Sequence, residues 1–398
     1  MLDPNQLGQP QTSQPSSHRS QARIDLIKNI ESLRGSCVFV YILGDRVPAG
    51  AQLSEDAIRP LYDHLISAES RLRQTKKADL FIYSRGGHVQ VPWRIVSMFR
   101  EFADEFYVLV PFKAYSAATL VALGADKIIM GKKGELGPID PQIERTRVEK
   151  GVSVQEQIPA EDVLAYLTFL KRMGISDQQS LAQSLSPVAQ QLGALTLGNV
   201  ERISAHIRTV ARKLLETRKE PLGENKIDSI VEILVERMYF HGHGISRKEA
   251  KSIGLPIGDI SPAEDKALWE LFKEYEKFLQ LLDPIDPRTV FTNQLTDEHM
   301  IQDNICGVIE SVDLTHLFIE DLQFLRVRDI PQLTLNINLP IQLPPRVQPQ
   351  GFPANFAQQI AQQLLPQIQQ QVREAVVAQS SVRGVTLNRL NGRWRLVS

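Results

Sequence analysis

The chain has 398 residues, 42% of them apolar and 23% charged, with a formal net charge of -1. That size and balance suit about two or three globular units with sizeable cores. Without a basic surplus, nucleic acid has no electrostatic reason to be the main partner.

Residues 1–22 are rich in Gln, Ser and Pro and lack the apolar stretch of a signal peptide, so a disordered tail is expected. Apolar residues at Ile24, Ile27, Ile30 and Leu33 predict a short amphipathic helix that Gly35 stops. The run Cys37–Leu43 is continuously apolar, as in a strand covered on both faces, and is too short to span a bilayer. Helical spacing returns at Ile58, Leu61, Leu65, Ile66 and Leu72, with Ser54 as the expected N-cap. Residues 79–83 form the next expected strand, ending at Gly86-Gly87. Pro92 suits the first turn of a helix that presents Ile95, Met98, Phe99 and Phe102. A third strand is expected over residues 106–110, a short helix over 116–124, and a fourth strand over Lys127–Met130. Strands and helices alternating through short joints predict an α/β fold with a parallel sheet.

From residue 160 to 215 the pattern is helical, with Val163, Leu164, Leu167 and Leu170 on one face. Another helix is expected over 227–238. Residues 241–260 predict a turn, a helix in which Ser246 and Glu249 form a capping box, then Gly254 and a strand. A charged amphipathic helix follows over 263–282. Together with short β-like runs at 307–328 it makes up a region over 261–330, and 331–354 is a proline-rich linker around an alternating segment at 333–339. Residues 355–398 hold a glutamine-rich helix that Pro366 should kink and a hairpin expected to turn at Asn391-Gly392. That last segment is a candidate assembly element.

Three pieces between residues 84 and 143 carry candidate chemistry. Gly86 and Gly87 follow a buried strand, where bare backbone can aim N–H groups at an oxyanion. Ser116 stands among Ala114, Ala117 and Ala118 at the start of a helix whose N-terminus favours negative charge. An N-cap serine or a plain glycine turn would account for either piece alone. The third piece is the turn Gly137-Pro138-Ile139-Asp140-Pro141.

Residues 84–89, 111–131, 134–143 and 241–256 together resemble the serine dehydrogenase proteinases, a family of Clp-fold serine proteinases related to signal peptide peptidase A and the Clp protease subunit. The resemblance covers about residues 24–260 and makes residues 23–260 the expected catalytic domain. It implies a Clp/crotonase-like spiral of βαβ units, a nucleophile at Ser116 and an oxyanion hole from Gly86 and Gly87. It also implies a homo-oligomer acting on peptide or protein substrates. Cys37 and Cys306 suggest neither disulfides nor a zinc pattern, which suits a cytoplasmic location. No cofactor is expected, since no G-x-G-x-x-G follows a strand.

The general base is open. No histidine lies between His88 and His206, and the place where the Clp protease has its histidine falls near Asp140. His243, with His241 as its rival, is the expected base, and Asp140 could orient it. A structural His-Gly-His loop is an equal alternative, and a metal at this pair would need a further carboxylate. His88 and Tyr115 are expected in the substrate groove. Lys113, Lys132 and Lys133 are expected as solvated charges. Two other classes stay open: a non-catalytic Clp-fold scaffold that binds a partner, and a crotonase-like thioester enzyme.

Overall fold

The computed structural model describes residues 18–139, 142–149, 152–237, 243–291, 293, 296–329 and 356–397. Most of the expected N-terminal tail, the linker at 331–354, Asp140 and His241 lie outside these residues.

The chain divides into two compact units, one of residues 1–284, 305–319 and 393–398, the other of 285–304 and 320–392. In the first unit α1 (Gln21–Arg34) ends at Gly35, which takes the left-handed conformation (φ 58) that a residue without Cβ adopts cheaply. β1 (Cys37–Leu43) is buried at every position. Then come α2 (Ile58–Ser67), α3 (Glu69–Thr75), β2 (Lys77–Tyr83), α4 (Val91–Phe102), β3 (Glu105–Val110), β4 (Lys113–Ala114), α5 (Ala117–Leu123), β5 (Lys127–Met130) and β6 (Glu135–Leu136).

β1, β2, β3 and β5 pair in parallel, in that order. Their unbroken apolar sequences follow from two-sided cover. Phe39, Tyr41 and Leu80 face a core built with α2, α4, α5 and the helix Ala194–Glu216, while Val38, Val40 and Phe81 face a core built with α1 and the helix Pro262–Phe278. The α/β class with a parallel sheet is therefore the observed one.

β7 (Gln142–Glu149) and β8 (Val152–Pro159) form a hairpin. It leads into α6 (Ala160–Arg172), α7 (Gln178–Leu192), α8 (Ala194–Glu216) and α9 (Glu224–Glu232), which passes into one turn of π-helix at Ile233–Arg237. β9 (Ile245–Ser246) and α10 (Arg247–Ile253) follow, with Ser246 capping the Glu249 N–H and Gly254 left-handed at φ 93. α11 (Pro262–Phe278) closes the run behind a complete capping box of Ser261 and Glu264. β10 (Glu298–Glu310) and β11 (Thr315–Arg328) are long strands. α12 (Phe356–Gln379) precedes β12 (Val382–Val397). The large sheet runs β12-β11-β10-β1-β2-β3-β5.

Several expectations need correction. Ser54 makes no side-chain cap: a 3-10 turn at Glu55–Ala57 starts the segment, and the expected single helix breaks at Ala68 into α2 and α3. The strand expected after Gly254 is one isolated bridge, Ile128 to Ile257. The short β-like runs near residue 320 are two long strands. Asn391 does take a left-handed φ of 56, yet no hairpin forms there. Its amide donates to Asp321 Oδ2 at 2.8 Å, and β12 runs straight on as a single strand.

Candidate active site

The second strand of the parallel sheet hands its chain to residues 84–88, which are held from both sides. On one side the Ser84 N–H donates to Lys113 O at 3.1 Å and Ser84 O accepts from the Tyr115 N–H at 3.0 Å. On the other, Gly86 O accepts from the Leu53 N–H at 2.8 Å and the His88 N–H donates to Leu53 O at 2.9 Å. A parallel bridge of this kind leaves the middle residue, Gly87, with its own N–H pointing away from Leu53. Both glycines have positive φ, 115 at Gly86 and 153 at Gly87. A Cβ on Gly87 would stand 2.3 Å from Leu53 O, so position 87 admits no side chain.

Gly86 lies directly against the serine turn. A Cβ placed there would be 2.7 Å from the Cβ of Ser116 and 3.2 Å from the backbone N of Ala117. The glycine pair and the serine, separate in sequence, are therefore neighbours in space. The Gly86 N–H already donates to Ser84 Oγ at 3.0 Å. Among the described residues the N–H groups of Gly87 and Ala117 have no hydrogen-bond partner.

Ser116 occupies the N-cap position of α5 with φ 52 and ψ -116, a conformation that costs a residue bearing a Cβ. Its side chain caps nothing. The N-cap account of this serine therefore fails on geometry: the residue is half-buried, and among the described residues its hydroxyl has no hydrogen-bond partner. α5 is buried at every position, so the turn that presents Ser116 rests on an immobile base.

Tyr115 donates its phenol to Glu135 Oε2 at 2.7 Å. Its ring lies on Gly137, where a Cβ would meet Tyr115 Cγ at 2.8 Å. Burial and the Glu135 carboxylate push the phenol's pKa up. Burial works against the Glu135 charge, but the hydrogen bonds from Tyr115 and Lys133 prevail and hold that carboxyl below its usual range. β6 joins β4 to β9, pairing Leu136 with both Ala114 and Ile245. Residue 244 thus comes close to this pair: a Cβ on Gly244 would be 3.5 Å from Tyr115 Oη.

His243, one residue earlier, is exposed and places Nε2 2.8 Å from Glu249 Oε1. It does not hydrogen-bond Ser116 in this structure. His88 is exposed and engages Leu53 only through its backbone. Lys113 departs from the expected solvated charge. Its ammonium is 3.3 Å from Asp45 Oδ2 and its side chain is only 20% exposed. Against the pull of burial, hydrogen bonds from Tyr83 and Arg85 and the charge of Lys113 hold Asp45 below the usual carboxylate range. Lys132 and Lys133 are exposed as expected.

Sequence reasoning passed over Ser84, Ala117 and Glu249 as candidate site residues. The spacing of a serine two residues before Gly86 was the available signal for the first, since Ser side chains close local turns onto nearby N–H groups. Glu249 was legible only as a helix cap. Among the described residues no group of three metal-ligating side chains gathers. Nor is any described helix long and apolar enough to cross a membrane.

The strand order defines an α/β protein, and the half-buried Ser116 on a strained strand-to-helix turn beside the glycine pair is its candidate site. Residues 10–174 match the family of ClpP-like SDH-type serine proteinases, the same family that the motifs resemble. Two uncharacterized proteins of Methanocaldococcus jannaschii are similar as well. MJ0137 is 29% identical over 260 residues, covering 64% of this chain and 79% of that protein. MJ1495 is 26% identical over 266 residues, covering 65% and 78%. Among solved structures, the S97A mutant of the 1510-N membrane-bound stomatin-specific protease aligns at TM-score 0.33 and 13% identity, over 56% of this chain and 78% of that one. ClpP1 from Listeria monocytogenes aligns at TM-score 0.31 and 13% identity, over 60% and 95%.

Proposed function

We propose that the protein is a serine peptidase that cleaves peptide bonds through an acyl-enzyme on Ser116. The observation that carries this reading is the Ser116 turn itself, strained, half-exposed and seated on Gly86. Strain of this kind persists where the surrounding fold imposes it and something is gained by it. Here the gain is a hydroxyl projected free of its own helix, able to attack a carbonyl carbon. The developing oxyanion would take the N–H of Ala117, at the positive end of α5, and the N–H of Gly87. Gly86, whose N–H is held by Ser84, shapes that cradle from beneath.

The proposed base is His243, with Glu249 rather than Asp140 as the carboxylate that orients it, because the ring and that carboxylate are already bonded. Glu249 on Nε2 leaves Nδ1 to accept the Ser116 proton once a substrate draws the 243–244 segment over the site. The imidazolium then returns that proton to the leaving amine, and a water repeats the cycle to release the acyl group. His241 remains the rival base. A homo-oligomer, a peptide or protein substrate bound beside His88 and Tyr115, and a cytoplasmic location belong to the same proposal.

A fluorophosphonate probe should label the wild type at Ser116 and leave Ser116→Ala unlabelled. Labelling that survives the substitution refutes the nucleophile. His243→Gln and Glu249→Gln should each slow labelling, by about 100-fold or more for the histidine. A second reading draws on one observation, the lack of any proton acceptor on Ser116 among the described residues. It is a partner-binding scaffold without hydrolysis. A wild type that no probe labels, with biological activity kept in Ser116→Ala, would favour it.

A further inference from the structure

The second unit holds a cleft of about 930 Å³ into which four arginines face: Arg288, Arg326, Arg328 and Arg383. Their charges are not equally matched. Arg288 is paired with Asp286 at 3.2 Å, and Arg328, only 5% exposed, with Asp297 at 2.7 Å. Among the described residues Arg326 has no carboxylate partner. Its guanidinium donates to the carbonyls of Asn293 and Thr296 at 2.7 and 3.0 Å and lies 4.1 Å from the centre of the Phe291 ring. Those contacts fix its plane without cancelling its charge. Arg383 is exposed and has no acidic partner among the described residues. Among the described residues two carboxylates thus offset two of four guanidinium charges, which leaves two positive charges in one cleft. Pro287, Val382 and Val385 supply an apolar wall beside them.

We infer that this cleft is a binding site for a phosphate monoester with an apolar body. A dianion matches the two unmatched charges. Guanidinium forks grip phosphate oxygens through paired N–H donors, and the prefixed Arg326 loses little freedom in doing so. The cleft lies in the size range of small-molecule sites, roughly 300–1,000 Å³. This inference uses no residue of the Ser116 site and stands apart from the peptidase reading.

Calorimetry on the full chain tests it, with phenyl phosphate, inorganic phosphate, phthalate and phenol as probes. Phenyl phosphate should bind most tightly, inorganic phosphate more weakly, and phenol not at all. Arg383→Gln and Arg326→Gln should each raise the Kd for phenyl phosphate about tenfold, in line with the loss of one charge-assisted contact. Arg73→Gln, on the exposed face of α3, should leave it unchanged. Arg383 is exposed, so its replacement keeps the test open even where Arg326→Gln unfolds. Three results would overturn the inference: no binding of phenyl phosphate at millimolar concentration, an affinity indifferent to Arg383→Gln, or phthalate binding more tightly than phenyl phosphate.

Discussion

Gly86 and Ser116 share a space that only one side chain can occupy: a Cβ at position 86 would stand 2.7 Å from the Cβ of Ser116. The contact joins the end of β2 to the start of α5 and forms the floor of the candidate site. Gly86→Ala must therefore move one backbone or the other. The substitution should cost about 1–3 kcal/mol of stability, since φ 115 is also hostile to alanine. Fluorophosphonate labelling should slow by about 100-fold or more as the oxyanion donors shift. Urea denaturation and labelling rates measure the two effects; wild-type rates in Gly86→Ala would show that the donors lie elsewhere.

The strain at Ser116 predicts a contrast between two variants. Ser116→Ala keeps a Cβ at φ 52 and should leave stability nearly unchanged. Ser116→Gly relaxes the turn, and after the added freedom of the unfolded chain it should be more stable than Ser116→Ala by about 1 kcal/mol. Thermal unfolding of the pair reads this difference directly, and equal midpoints would remove the strain argument.

Tyr115→Phe takes one donor from Glu135 and leaves the ring on Gly137 in place. The loss should be about 1 kcal/mol or less, because Lys133 and solvent still serve the carboxylate. The pKa of Glu135 should rise toward its usual value. A group held low in the folded state loses its stabilising effect as pH falls, so the variant should show less of this acid-side loss than the wild type. Titration of Glu135 by NMR, beside denaturation at neutral and acid pH, checks both statements.

A buried histidine pair elsewhere in the first unit sets a separate pH dependence. His64 Nε2 lies 3.1 Å from His316 Nδ1, and His64 Nδ1 lies 2.8 Å from Ser311 Oγ. Burial, the second ring and nearby Arg19 bring the His64 pKa down to about 3. Burial also lowers His316, against the opposing charge of Asp63. The unfolded chain binds these protons near pH 6.5, so stability is full above that value and drains away as pH falls toward 3. His64 alone should contribute a loss of about 2 kcal/mol between pH 7 and pH 5. His64→Gln should flatten that slope in denaturant titrations; an unchanged slope would place the acid sensitivity in other groups.

α12 offers a test of assembly. Its apolar residues Leu365, Ile368, Val372 and Val376 are only half-buried, and none of its described side chains is fully covered. Ile368→Lys with Val372→Lys should lower the mass seen by light scattering if copies of this helix meet. Removing the whole C-terminal segment is a poorer test, because Trp394 packs on Tyr41 and Phe318 in the first unit. An unchanged mass in the double variant would clear α12 of that role.

The elements that depend on local chemistry were legible. Cys37–Leu43 reads as a doubly covered strand because its neighbours along the chain face opposite cores, and Gly35 and Gly254 read as helix ends because each takes a left-handed φ. Where long-range pairing competed, local signals failed. Asn391-Gly392 has the composition of a hairpin turn, but Asn391 bonds to Asp321 across the sheet and the strand continues. Ser54 has the composition of a cap, but the chain enters a 3-10 turn there instead.

The amino-acid sequence by itself determined the α/β alternation, the family resemblance and the candidates Ser116, Gly86 and Gly87, because each depends on residue type and order along the chain. Only the tertiary structure decided which groups meet. It set Gly86 beneath Ser116, left the N–H groups of Gly87 and Ala117 without partners among the described residues, turned His243 to Glu249 and gathered four arginines in one cleft. Such encounters arise from strand pairing and packing between distant segments, and no local spacing encodes them.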